Sequence, residues 1–163
     1  MPRGATVPVS DTVTEVSRVT GDDLPDLLPL LRGYCDFYDV APSDEALLGV
    51  SRTLLADPER EGIQLIARHE SGEAVGFATI YWSWDTLSAS RVGIMYDLFV
   101  ANSARGTGVA DMLLDACVNE CRGHGAARLV WQTARDNLRA QRVYERGGAT
   151  REEWVDYWLP VPP

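Results

Sequence analysis

The stretch "YDLFVANSARGTGVADMLLDACVNE", from Tyr96 to Glu120, joins an apolar run to an amphipathic run through a turn that holds Gly106 and Gly108. A strand that leads through glycines into a helix directs unpaired backbone N–H groups at one point, where the helix dipole adds positive potential. Glycine lacks the Cβ atom that would prevent close approach, and Thr107 can add a hydroxyl donor. The stretch therefore predicts a phosphate-binding turn, with an ordinary tight turn as the alternative.

Periodicity along the rest of the chain predicts alternating strands and helices. In the first half of the chain we expect a strand at 14–20, a helix from about 24 that Pro29 should kink or split, a helix at 43–56 capped by Ser43, and two hairpin strands about the turn Ser71-Gly72. The second half should contain a strand at 91–100, a helix at 109–122, a strand at 127–134, a helix at 137–146 and a last strand at 151–159. The strand-helix-strand unit at 91–134 requires two parallel strands joined by a crossover. Both α/β and α+β sheets remain open at this point.

Composition limits the class of protein. The chain has 163 residues and a formal net charge of −9, and we expect one domain over 13–163 behind a flexible tail at 1–12. Such acidity argues against a nucleic-acid partner, because phosphate binding requires clustered cations. No apolar run reaches the roughly 18 residues of a membrane span and the start lacks a secretory apolar stretch, so we expect a cytoplasmic protein without a membrane partner. Core packing explains the three cysteines, and His69 and His124 both adjoin turn signals, so no metal site is predicted.

Two familiar phosphate loops do not fit the glycine turn. The chain has no Gly-Lys-Ser/Thr, and Asp111 stands where a dinucleotide loop needs its third small residue. The stretch "RGTGVA" instead carries the pattern Q/R-x-x-G-x-G/A through Arg105, Gly108 and Ala110. A second stretch, "NLRAQRVYERGGA", carries the pattern N-x-x-A-x-x-x-Y-x-x-x-G through Asn137, Ala140, Tyr144 and Gly148.

Together these two patterns resemble the GNAT superfamily of N-acetyltransferases. The segments "AVGFATIYWSW", "MYDLFV" and "YERGGA" are most similar to its diamine (polyamine or thialysine) branch. The resemblance implies an α/β fold with a mixed central sheet and about four flanking helices, and acetyl-CoA as cofactor. It implies that the pyrophosphate is held by Arg105, Gly106, Thr107, Gly108, Val109 and Ala110, the pantetheine arm by the main chain of Leu98, Phe99 and Val100, and another part of the cofactor by Asn137.

Acetyl transfer to an amine requires a proton acceptor. Because an alkyl ammonium has a pKa near 10.4, its neutral form at pH 7 costs about 4.6 kcal/mol. Asp97 is the candidate base, since it precedes the pantetheine segment between apolar neighbours, and it can equally anchor the substrate ammonium without taking the proton. Tyr144 is the candidate acid that protonates the leaving thiolate, with a half-buried helix aromatic as the alternative.

The acceptor is the least defined element. The segment 33–45 sets Tyr38 and Asp39 among further aromatics and carboxylates, which suits a cationic amine, although a solvated loop has the same composition. Trp84 can line the acceptor site or form core and subunit contacts. We expect an acetyltransferase of a small primary amine, polyamine-like or amino-acid-like, that forms a homodimer as the resemblance implies. A non-catalytic acyl-CoA-binding module is the alternative.

Overall fold

The computed structural model describes residues 13–162, and within them the chain forms five strands and four α-helices. In chain order these are β1 (Val13–Arg18), α1 (Leu24–Phe37), α2 (Asp44–Ala56), β2 (Gly62–His69), β3 (Ala74–Asp85), β4 (Ser90–Val100), α3 (Val109–Gly123), β5 (Ala126–Val130) and α4 (Leu138–Arg146). Short 3-10 turns at Gly21–Asp23 and Asn102–Ala104 precede α1 and the glycine turn. The predicted elements up to α4 are thereby confirmed, within a few residues at their ends.

The strands form one mixed sheet in the order β1-β2-β3-β4-β5. The first three pairs are antiparallel, whereas β4 and β5 run parallel on either side of α3. This parallel pair confirms the crossover that the sequence required. The fold is therefore the mixed sheet with flanking helices that the family resemblance implied.

Helices α1 and α3 cover opposite faces of the sheet. Phe77 is fully buried in a cluster with Leu27 of α1, whereas a Cβ atom on the adjacent Gly76 would lie 3.2 Å from Leu113 of α3. Successive residues of a strand point to opposite faces, so the two helices lie on the two sides. A Cβ on Gly93 would lie 2.4 Å from Cys121 Sγ, which shows how closely α3 approaches β4.

A β-bulge interrupts the β3–β4 ladder beside Asp97. Thr79 pairs with Asp97 and Ile80 pairs with Met95, so Tyr96 has no residue opposite it. The extra residue redirects the side chains that follow it. It leaves Tyr96 70% exposed while Asp97, on the next position, points into the face that α1 covers.

Three sequence predictions need correction. Pro29 does not split α1, because it lies on the exposed side while the buried leucines of the opposite side hold the helix. Strand β5 ends at Val130 rather than at 134. The last strand, 151–159, is wrong: this segment is not a strand and its side chains are exposed, since alternation alone gives no ladder without a neighbouring strand.

The described chain falls into two compact units, which divide between Gln132 and Thr133. The first unit contains the sheet with α1, α2 and α3, and the second contains α4. The proposed tail at 1–12 lies outside the described residues, and a single domain over 13–163 stays a prediction. Within residues 13–162, no helix has both the length and the apolar character that crossing a membrane requires.

Candidate active site

The glycine turn between β4 and α3 has the backbone conformation that its sequence predicts. Gly106 and Gly108 have φ values of +85° and +90°, in the left-handed region that favours glycine. Apart from each glycine and its chain neighbours, no atom of the described residues lies within 4 Å of the Cβ position at either glycine, so the space over the turn is open. The first intrahelical bond of α3 runs from Met112 N to Gly108 O, and the amides of Val109 and Ala110 precede it. The turn therefore presents backbone donors to an open space at a helix start.

Two side chains fasten this turn to its neighbours. Arg105 Nε donates to Val100 O at 3.2 Å, and Thr107 Oγ1 donates to Ala104 O at 2.7 Å. The Thr107 hydroxyl has a single proton, and that proton is engaged inside the turn. Thr107 is therefore placed to offer its backbone N–H to a phosphate rather than the hydroxyl donor that the sequence suggested.

The segment Leu98 to Val100 lies on a strand edge that β5 does not cover. The parallel pairing of β4 with β5 extends only from Arg91 to Ile94, where the described strand β5 ends at Val130. Beyond this point β4 keeps its antiparallel partner β3 on one edge only. An uncovered edge offers main-chain donors and acceptors to an extended ligand. This is the arrangement that a pantetheine arm requires of Leu98, Phe99 and Val100.

Asp97 lies in a largely buried position between β3 and α1. The hydroxyls of Thr79 on β3 and Tyr34 on α1 face its carboxylate and lower its pKa as hydrogen-bond donors. Burial raises the pKa of Asp97 above its usual value, and these two hydrogen bonds only partly oppose the rise. Burial and the nearby charge of Asp97 also raise the pKa of Tyr81. The site therefore holds one carboxylate among neutral phenols and hydroxyls.

The predicted substrate residues separate into two groups. Tyr34 contacts Tyr38 edge to face, with ring centroids 5.1 Å apart, so Tyr38 is joined to Asp97 through Tyr34. Asp39, exposed beside it, has a φ of +54°.

Trp84 belongs to the second group, because the structure does not bring it to Asp97. Its ring lies under the guanidinium of Arg91 at 5.1 Å, and the two residues are paired across β3 and β4. Arg91 is six positions from Asp97, or about 20 Å along the strand. Contact of Trp84 with an amine held at Asp97 therefore requires a long acceptor.

Asn137 and Tyr144 lie in the second unit, on and around α4. Asn137 is the N-cap of α4, and its Oδ1 accepts from Ala140 N at 3.2 Å. Tyr144 lies in the last turns of the helix and is partly buried. Its carbonyl accepts from Ala149 N at 3.0 Å, after Gly148 with a φ of +86°. The signature asparagine and glycine thus begin and end the helix that carries the tyrosine.

Comparison with known proteins decides the family. The Acetyltransferase (GNAT) family matches this chain over residues 27–149. The chain belongs to the GNAT acetyltransferase family. A protein of Bacillus subtilis (strain 168) named "Uncharacterized N-acetyltransferase YhfO" is 34% identical over 141 residues, which cover 86% of this chain and 93% of that protein. An N-acetyltransferase of Archaeoglobus fulgidus, also named as uncharacterized, is 28% identical over 85% of this chain and 95% of its own length.

Solved structures agree with this GNAT assignment. The crystal structure of a probable acetyltransferase superposes with a TM-score of 0.81 at 30% identity, covering 92% of this chain and 99% of that one. The structure of AAC(6')-Iy in complex with the bisubstrate analogue CoA-S-monomethyl-acetylneamine superposes with a TM-score of 0.78 at 22% identity, covering 91% and 98%. At that identity the second likeness concerns the fold alone.

As a GNAT enzyme, the protein is an N-acetyltransferase that uses acetyl-CoA. The chain fits this cofactor in two respects: a side chain at Gly106 or Gly108 would extend into the open space over the turn, and the main chain of β4 beyond Ile94 is uncovered by β5. Among residues 13–162, no group of three or more His, Cys, Asp or Glu side chains is arranged to hold a metal ion.

Sequence reasoning did not connect two residues with Asp97: Tyr34, which lies in the predicted acceptor segment 33–45, and Thr79, which it did not single out. Tyr34 precedes Tyr38 by four residues, and this spacing places both on one face of a helix. Thr79 is a polar residue inside an apolar strand, which signals a hydrogen-bonding partner in the core. Neither signal identifies Asp97 as that partner, because the register of β3 against β4 depends on the bulge at Tyr96.

Proposed function

We propose that the enzyme acetylates a primary amine of a small cationic molecule, polyamine-like or amino-acid-like, by direct attack of the amine in a ternary complex. The observation that carries this proposal is the buried carboxylate of Asp97, adjacent to the uncovered edge of Leu98 to Val100. A carboxylate at this position attracts an ammonium to the segment that is expected to hold the acyl donor. The proposal follows from that proximity and from the family.

Asp97 has two roles open to it, base and anchor. A carboxylate with a raised pKa is a stronger base than an ordinary aspartate. The gap between its pKa and that of an alkyl ammonium, near 10.4, is therefore smaller. The anchoring role uses only its charge. Proton transfer makes the rate depend on an ionised Asp97 at every acceptor concentration, whereas an anchor affects mainly the acceptor KM.

Acetyl-CoA supplies an acyl group already activated as a thioester. We propose that Tyr144 donates its phenolic proton to the departing sulfur, as the signature around it suggests. A backbone N–H near Leu98 is the proposed donor to the carbonyl oxygen. Burial raises the pKa of Cys117 to about 12 and that of Cys121 to about 11, so both remain thiols at neutral pH. This supports direct attack without an acyl-cysteine.

The preference for a cationic acceptor rests on the surroundings of Asp97. Phe37 and Tyr38, both exposed, follow Tyr34 at the end of α1, and Asp36 and Asp39 flank them in the sequence. Aromatic faces and carboxylates together attract amines. The solved neighbours include aminoglycoside acetyltransferases, whose substrates carry several amines, and a ribosomal-protein-alanine N-acetyltransferase. At 21–24% identity these likenesses concern the fold alone, and they supply acceptor classes to compare in the test.

We further propose a single acetyltransferase domain, a cytoplasmic location and a homodimer, without nucleic-acid or membrane partners. The family match supports the domain, because it extends across the division between the two compact units. The net charge of −9 supports the exclusion of nucleic acid. The homodimer rests on the resemblance to the diamine branch alone.

The test is release of free thiol from acetyl-CoA by the purified protein with a panel of acceptors. The panel contains linear diamines, polyamines, free amino acids, an aminoglycoside and a peptide with an N-terminal alanine. We expect turnover with small amines, and at least a tenfold lower rate for Tyr144→Phe. Turnover with the peptide alone would contradict the proposed acceptor. Cofactor binding without turnover on any acceptor would instead indicate the non-catalytic module.

A further inference from the structure

A row of polar side chains crosses the apolar sheet face under α1 and α2. Gln64 of β2 pairs with Thr79 of β3, which pairs with Asp97 of β4. Residues directly opposite in an antiparallel ladder point to the same face. Gln64 is 5% exposed and Thr79 is fully buried, and the next pair on this face consists of Ile66 and Phe77. An amide and a hydroxyl in such surroundings are costly unless they are hydrogen-bonded.

The chemistry of these groups fixes the direction of each hydrogen bond in the row. Thr79 is paired with Asp97 and lowers its pKa, and because a carboxylate only accepts, the Thr79 hydroxyl acts on it as the donor with its one proton. Thr79 Oγ1 must then accept on its other side, and Gln64 Nε2 donates to it at 3.2 Å. This assignment directs the Oε1 atom of Gln64 away from Thr79.

The far end of the row is unsatisfied. Within the described chain, Gln64 Oε1 and Ser51 Oγ are buried without a hydrogen-bond partner. Both residues line one cavity of about 240 Å³, between α2 and the first two strands. Apolar side chains would fill this region without leaving a buried polar atom that lacks a hydrogen bond. An amide retained in the core at this cost suggests a role beyond packing.

We propose that Gln64 is a positioning residue for acetyl transfer, which acts through Thr79 to keep the threonine hydroxyl directed at the carboxylate of Asp97. The amide N–H at Thr79 Oγ1 makes the other rotations of the hydroxyl unfavourable, because they would set two protons against each other. The titratable groups that face Asp97 are Tyr34 of α1 and Tyr81 of β3, with Tyr96 against Tyr81. Burial raises the pKa of Tyr34 and of Tyr81, so both phenols are neutral at pH 7. Within residues 13–162 no cation forms an ion pair with Asp97, and the row supplies a fixed donor in its place.

The test is a direct titration of Asp97 by carbon-13 NMR of the aspartate carboxyl groups, with the signal assigned by its loss in Asp97→Asn. We expect Thr79→Val to raise the pKa of Asp97 by about one unit or more, because a hydrogen bond to the charged form is lost. Gln64→Leu should shift it in the same direction by less. Thr79→Ser, which restores the hydroxyl, should return the wild-type value.

Controls separate positioning from a general loss of structure. Ser51→Ala removes the other unsatisfied oxygen of the cavity and should leave the pKa of Asp97 unchanged. Gln64→Met replaces Gln64→Leu if the latter unfolds. An unchanged pKa of Asp97 in folded Gln64 variants would overturn the inference.

The kinetic part of this inference rests on the proposed role of Asp97 as base. The acidic limb of the kcat/KM profile should move to higher pH in Thr79→Val and Gln64→Leu, with the KM for acetyl-CoA unchanged. Full activity of Asp97→Asn would contradict the role of Asp97 as base and would not affect the conclusion from NMR. An inactive Asp97→Asn, with the pKa of Asp97 shifted in Thr79→Val but not in Gln64→Leu, would leave Asp97 as the base and would contradict only the role of Gln64.

Discussion

Thr79 and Asp97 face each other across β3 and β4, and the Thr79 hydroxyl lowers the pKa of the Asp97 carboxylate as a hydrogen-bond donor. This pair is the last regular one before Tyr96 bulges out of the ladder. Asp97 lies in the part of β4 beyond Ile94, which β5 leaves uncovered, and Leu98 is the next residue along the strand. One strand therefore carries both the proposed proton acceptor and the edge for the acyl donor, which fixes their separation by backbone geometry alone.

Replacement of Asp97 by asparagine tests its part in catalysis. We expect Asp97→Asn to lower kcat/KM at pH 7 by about a hundredfold or more, because it removes the general base. The affinity for acetyl-CoA should be unchanged. In the wild type, kcat/KM should fall as the pH drops through the raised pKa of Asp97, and this limb should disappear in the variant.

Glu70→Gln, in the exposed hairpin turn, is the matched control and should keep wild-type kinetics. An Asp97→Asn variant that changes only the acceptor KM would identify Asp97 as an anchor rather than a base.

The raised pKa of Asp97 also predicts a dependence of stability on pH. Because burial raises this pKa above the unfolded value near 3.9, the folded state binds the proton more tightly between the two values. The contribution of Asp97 is fully present below the unfolded pKa and is lost as the pH rises through the folded pKa. The difference in unfolding free energy, Asp97→Asn minus wild type, should therefore become more positive between pH 3.5 and pH 7. Urea unfolding at both pH values measures it, and a difference that moves the other way would contradict the raised pKa.

Contact between Gly93 and Cys121 provides a test of the packing of α3 on β4. A Cβ atom at Gly93 would lie 2.4 Å from Cys121 Sγ, so Gly93→Ala should destabilise the protein by about 1–3 kcal/mol. In the double variant with Cys121→Ala the new methyl group occupies the space of the sulfur. We expect its loss of stability to be at least about 1 kcal/mol smaller than the sum of the single losses. Additive losses in thermal unfolding would argue against this contact.

Sequence reasoning was most successful where one signal determines one element. The spacing from Val109 to Cys117 identified α3, Ser43 identified the start of α2, and the hairpin turn identified β2 and β3. The left-handed conformation of Gly106 and Gly108 could be predicted as well, because the tight turn requires a positive φ at these positions. The family patterns then added the cofactor, which no periodicity specifies.

Features that depend on neighbours were not predictable. The alternation of 151–159 matched a strand, yet a strand exists only with a partner. The row from Gln64 to Asp97 depends on the register of three strands and on one bulged residue. Trp84 illustrates the same limit, since its pairing with Arg91 sets it about 20 Å from Asp97. The sequence places Trp84 close to other aromatic residues, but this did not indicate its distance from Asp97.

Binding of acetyl-CoA at the glycine turn is the central claim, and thermal unfolding of the protein with and without acetyl-CoA tests it most directly. A ligand that binds only the folded state stabilises it by RT ln(1 + [L]/Kd), about 2.7 kcal/mol at a hundredfold excess over Kd. We expect a clear rise in Tm for the wild type and for Gly49→Ala, a control in α2, and none for Gly108→Glu, whose carboxylate would enter the open space over the turn. An equal rise in Gly108→Glu, or no rise in the wild type, would contradict the phosphate-binding role of the turn.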